Sequence, residues 1–159
     1  MAISPPREHR TANVFTERQA SRLSGVSVRT LTYWVASDFL TPSTQESRGS
    51  RTRRGYTFRD IVQLRVAKRL RAAGLSLQKL RQAQERLQQA QAPETPFGDT
   101  YLVTNGRDVF EVTQGREAIR SLIQQAGQRP DAWVIVDLAD LVTATLQALD
   151  AERRREGAS

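Results

Sequence analysis

Two helix starts and a glycine stop fall within one short run, Thr16 to Trp34, and they restrict the local fold more than any other feature of the chain. Thr16-Glu17-Arg18-Gln19 has the form of a capping box, in which a Thr hydroxyl and a Gln amide satisfy the orphan backbone donors of a helix start. Ala20 and Leu23 follow at helical spacing. Ser24-Gly25 ends the element, since glycine takes the positive φ that a tight turn between helices requires. Ser27 caps a second helix predicted from Val28 to about Ala36. Val26, Leu31, Trp34 and Val35 can face the first helix, leaving Arg29, Thr32 and Tyr33 outward.

Thr41 and Pro42 stop the second helix, and the polar segment from Ser43 to Arg54 fits two short strands around a mobile tip at Gly49. Thr57 caps a third helix with Asp60 at its third position, where a carboxylate also suits the positive helix end. Ile61, Leu64 and Leu70 give that helix an apolar stripe, and Gly74 ends it. Ser76 caps a fourth helix to about Gln91. On it Leu80, Ala83, Leu87 and Ala90 recur three and four apart, which suits either packing within one subunit or a dimer seam.

Pro93 and Pro96 mark a boundary to a smaller unit. Tyr101 to Thr104, Asn105-Gly106 and Arg107 to Val112 read as a hairpin with a type I′ turn. A helix near Arg116 to Gln125, a strand at Trp133 to Val136 and a last helix follow. Asp137 and Asp140 cap that helix, and Leu138, Leu141, Val142, Leu146 and Leu149 form its apolar stripe. Residues 1–12 carry Pro5, Pro6 and the lone His9 and read as a mobile arm.

Charge separates the chain into two parts. Residues 1–92 hold 17 Lys or Arg against 6 Asp or Glu, net +11, and residues 93–159 hold 7 against 11, net −4, which together return the overall +7. The first part suits a polyanion. With no cysteine the chain has no disulfide, thiolate nucleophile or thiolate metal site, and a reducing cytoplasm is its expected location. No stretch approaches the length of a signal peptide's apolar region or of a membrane span. There is no nucleophile elbow, phosphate-cradling glycine loop or ligand cluster, so no enzyme, cofactor or metal site is expected.

The blocks Gly25-Val26-Ser27-Val28-Arg29-Thr30-Leu31-Thr32-Tyr33-Trp34, Leu40-Thr41-Pro42, Tyr56-Thr57-Phe58-Arg59-Asp60 and Gly74-Leu75-Ser76-Leu77 stand in an order that resembles the MerR family of bacterial transcriptional regulators. The resemblance runs from residue 14 to about 91. It implies a mainly α fold with a winged helix-turn-helix domain at 13–74 and a linking dimerisation helix at 75–92, to which the residue pattern adds a small α+β unit at 96–153 and a tail at 154–159. Thr32 replaces a usual Arg, Trp34 replaces a second Tyr, and the wing offers Ser-Arg-Gly-Ser-Arg-Thr-Arg-Arg-Gly in place of the usual tip.

The resemblance implies a homodimer on a pseudo-palindromic promoter site in double-stranded DNA. Ser27, Arg29, Thr30 and Tyr33 on the reading helix, and Arg48, Arg51, Arg53, Arg54 and Tyr56 on and after the wing, are the candidate DNA contacts. Leu80, Ala83 and Leu87 are the candidate dimerisation residues. RNA polymerase, or a protein docked on the C-terminal unit, are the further partners this organisation admits. Two other readings stand beside it: an antitoxin-like DNA-binding protein whose acidic C-terminal unit holds a protein, and an architectural DNA-binding protein. About 60 C-terminal residues with few aromatics leave little room for a pocket of several hundred Å3, which favours docking over ligand binding there.

Overall fold

The computed structural model describes residues 14–48, 51–90, 101–112, 115–127, 129 and 132–158, with the backbone alone at 45–48, 51–52, 83–84, 86–90 and 115–116. The arm with His9, the wing tip at 49–50 and the Pro93–Pro96 boundary lie outside the described residues, as do the side chains of Arg48, Arg51, Ala83 and Leu87. The fold is mainly helical with two small sheets. Its order is α1 (Glu17–Ser24), α2 (Val28–Ala36), β1 (Thr44–Arg48), β2 (Arg51–Gly55), α3 (Phe58–Ala72), α4 (Leu77–Ala90), β3 (Tyr101–Thr104), β4 (Val109–Val112), α5 (Gly115–Gln125), β5 (Val134–Asp137) and α6 (Leu138–Gly157). One compact unit ends at Ile61 and the second begins at Val62, so α3 contributes to both.

The helix starts follow their caps. Thr16 and Gln19 form both halves of the capping box on α1, and Gly25 closes that helix at φ 73°. Ser27 caps α2 by accepting the Thr30 N–H. Thr57 and Asp60 exchange bonds at the start of α3, Thr57 N–H donating to Asp60 Oδ2 at 2.9 Å. Ser76 accepts the Lys79 N–H on α4, and Asp137 accepts two N–H groups on α6.

In the first unit α1 and α2 pack around Ala20, Leu23, Val26, Leu31 and Trp34. Phe39 meets Trp34 edge-on with ring centroids 5.2 Å apart, a favoured arrangement of two quadrupoles. Asp38, the one described non-glycine residue with positive φ, turns the chain out of α2 toward Phe39 and Leu40. The antiparallel wing pairs Thr44 with Gly55 at its base and Arg48 with Arg51 at its far end. Phe15 and Tyr56 exchange backbone hydrogen bonds of 2.7 and 2.9 Å, which ties the lead-in to α1 to the end of β2.

The second unit holds a three-stranded antiparallel sheet of order β4-β3-β5. Val103, Ile119, Ile123 and Trp133 form a core cluster that joins one face of this sheet to α5. The hairpin stands at the expected residues, but its turn is not type I′. Four residues link Thr104 to Val109. Only Gly106 takes positive φ, at 87°, because the Asn105 Oδ1 accepts the N–H groups of both Arg107 and Asp108 at 2.9 Å and closes the turn through its side chain.

The stripe on α6 also differs from the spacing. Leu138, Leu141 and Leu149 are buried with Thr145 and Glu152, while Leu146 is 49% exposed. Thr145 is tolerated inside because its hydroxyl donates to the Leu141 carbonyl at 2.6 Å. The helix continues to Gly157, into the stretch 154–159 expected as a tail.

A candidate nucleic-acid interface

α2 presents Arg29 and Tyr33 to solvent, one turn apart on the same side, and Tyr33 is 58% exposed. Ser27 and Thr30 share the start of that helix. Their hydroxyl oxygens lie 2.8 Å apart, and Ser27 Oγ also accepts the Thr30 N–H at 3.1 Å. Only one hydroxyl can donate across the first contact, so the pair keeps one hydroxyl hydrogen for an outside acceptor such as a phosphate oxygen. Val28, which the residue pattern does not single out, is exposed beside Arg29 and offers apolar surface at the first turn.

Thr32 stays exposed, with its hydroxyl turned back along the surface. Its hydroxyl reaches the Val28 carbonyl at 3.0 Å and Glu17 Oε1 at 3.3 Å. The same Glu17 oxygen takes Arg54 Nη1 at 3.2 Å, with both side chains about a quarter exposed. Glu17 thus joins α1, α2 and the wing through one carboxylate. No sequence signal points to this role, since an acidic residue in a first turn already has a reason to be there.

The wing base has a second fastening. Asp60 is buried, and its Oδ2 accepts from Ser43 Oγ at 2.6 Å, Ser43 N at 3.3 Å and Thr57 N. One carboxylate therefore holds the residue that enters the wing and the residue that leaves it for α3. Gly55 lies where a Cβ would overlap Thr44 Oγ1 and Val14 Cγ1, so any larger residue there must displace these two exposed side chains.

The expected contacts separate on this geometry. Arg29, Tyr33 and Arg53 are exposed, Arg54 is drawn onto Glu17, and Arg48 and Arg51 are paired by backbone register at the wing's far end. Tyr56 is the correction: it has no exposed surface, because the bridge to Phe15 carries its ring into the core. Its hydroxyl has no hydrogen-bond partner among the described residues. Burial pushes its pKa up to about 12, with Glu17 adding to the rise and Arg54 opposing it. Leu80 is also buried within its own chain.

The family model described as MerR HTH family regulatory protein matches residues 15–87, which cover α1, α2, the wing, α3 and most of α4. The chain carries a MerR-family helix-turn-helix domain. Among curated proteins the chain is similar to the uncharacterized HTH-type transcriptional regulators Mb1861 of Mycobacterium bovis and Rv1830 of Mycobacterium tuberculosis. Each is 30% identical over 125 residues, covering 74% of this chain and 56% of the relative. The chain thus spans a little over half the length of those relatives. In the MerR domain the caps, the glycine turn and the wing glycine each answer to a bond or a close contact within the fold, while Arg29, Tyr33 and Arg53 are left facing outward.

Proposed function

We propose that this chain is a transcriptional regulator that binds double-stranded DNA in a sequence-specific way, with α2 in the major groove and the wing along the adjacent backbone. The observation that carries this reading is the pairing of Arg29 and Tyr33 on one exposed face of a helix fixed at its start, next to an arginine-bearing hairpin clamped by Glu17 and Asp60. An exposed guanidinium at the second position of such a helix suits the paired acceptors of guanine or a phosphate. The +11 charge of residues 1–92 supplies the sequence-independent part of the affinity. The mycobacterial relatives carry the name of HTH-type transcriptional regulators, which is the same kind of activity.

In this reading residues 13–74 are the DNA-binding domain, 75–92 the linking helix and 96–153 a separate functional unit. Two copies pair through the α4 region and place two reading helices on a pseudo-palindromic promoter. RNA polymerase at that promoter and a cytoplasmic setting follow from the same role. Fluorescence anisotropy of the full chain on its best duplex, from low to high salt, tests it. Arg29→Ala is expected to lose at least about tenfold in affinity there, on the order of 1–3 kcal/mol, and to lose less on unrelated duplex. Equal losses on both duplexes would make Arg29 a phosphate contact only, and no loss on either would remove it from the interface.

A further inference from the structure

α2 carries two parallel rows on its outer side. Arg29 and Tyr33 form one, and Val28 and Thr32, each one position earlier, form the other, with all four side chains exposed. The second row has no place in the core. Val26, before the helix, is buried with Leu31 and Trp34 at 5% exposure, whereas Val28 is 40% exposed. A branched apolar side chain left in water at a helix start adds nothing to packing and little to helix propensity.

Thr32 joins this row as an apolar group. It has one hydroxyl hydrogen, and its Oγ1 lies 3.0 Å from the Val28 carbonyl oxygen and 3.3 Å from Glu17 Oε1. That hydrogen is used within the chain and is not offered to a base or a phosphate oxygen. The group that Thr32 keeps for a partner is its methyl. Val28 and Thr32 thus give α2 a strip of methyl groups beside the Arg29 guanidinium. In the major groove thymine alone presents a methyl group, at C5, while cytosine presents an amino donor for which Val28 has no acceptor.

We propose that Val28 reads a thymine in each DNA half-site, its isopropyl group packing on the C5-methyl with the Thr32 methyl extending the contact, next to the base or phosphate that Arg29 meets. The inference rests on the placement of α2 in the major groove proposed above. Discrimination here comes from removing water between methyl groups and not from a hydrogen bond. It therefore follows the methyl itself and is independent of base pairing.

Fluorescence anisotropy of the full chain on the best duplex selected from a random pool, with each thymine replaced in turn by deoxyuridine, removes one methyl at a time and keeps the pairing and the O4 acceptor. One thymine in each half-site is expected to weaken binding about threefold to tenfold on this change, and the others less than about twofold. The V28A/T32S variant retains the Thr32 position's hydroxyl and loses the methyl strip. It is expected to bind the thymine and deoxyuridine duplexes within about twofold of each other, with circular dichroism and thermal unfolding unchanged. No sensitive thymine, or full discrimination kept by the variant, would overturn the methyl contact, and a selective loss by Arg29→Ala in the same assay would leave the placement of α2 standing. A chain that selects no duplex from the pool would overturn both.

Discussion

Single side chains set the closest tolerances in the first unit. Gly55→Ala is expected to lower stability by about 1–3 kcal/mol in urea unfolding, since its methyl must displace Thr44 and Val14 at the base of the wing. Tyr56 carries a pH signature. Its phenol is held neutral in the fold up to about pH 12, against an ordinary value of 10.0, so the unfolded chain releases that proton first as pH rises. Stability from this group is complete below pH 10 and declines between 10 and 12. Tyr56→Phe removes the ionisable group and the partnerless buried hydroxyl together. It is expected to flatten the alkaline part of a plot of unfolding midpoint against pH, and to cost little at neutral pH; an unchanged slope above pH 10 would count against the burial of this phenol. Its motif locates Tyr56 in the chain, but nothing in the motif reveals that a bridge to Phe15, far back in the chain, turns its ring inside.

At the scale of elements, the caps were legible because each is a bond between residues two or three apart. Thr16, Ser27, Thr57, Ser76 and Asp137 all cap the helices they precede. Features that depend on distant residues were not legible: Glu17 bridging to Arg54 and Thr32, Asp60 holding Ser43, and Thr145 taking the inward place while Leu146 stays outside. Asn105-Gly106 shows the limit within a local signal, because two turn types suit the same residues and the carboxamide bonds select one. Asp60→Ala leaves the donors of Ser43 and Thr57 without their acceptor and is expected to cost on the order of 2 kcal/mol in thermal or urea unfolding. A cost near zero would show that the wing base does not depend on this carboxylate. Replacing Arg48, Arg51 and Arg53 together by Gln is expected to reduce the slope of log affinity against log salt by about 2–3, because each phosphate that is no longer neutralised lowers it by roughly 0.9. An unchanged slope would place the wing away from the DNA backbone.

Across the whole molecule, charge divides the chain into a basic and an acidic part. The basic residues are concentrated before Ala92, in the segment that carries the MerR-family domain, and the later residues, which hold the three-stranded sheet, are net acidic. Composition alone makes that division visible, whereas the packing of Ile119 and Ile123 of α5 on Val103 depends on contacts between distant residues and has no counterpart in the residue pattern. The proposed function turns on α2 reading one preferred DNA site from each of two symmetric copies. Selection of bound duplexes from a random pool by the full chain tests this most directly, because it reports specificity, half-site spacing and symmetry together. The expected result is a single enriched pseudo-palindrome whose half-sites are lost when Arg29→Ala is used in the same selection. A pool that shows no enriched sequence, or the same enriched sequence with Arg29→Ala, would contradict a reading helix at α2.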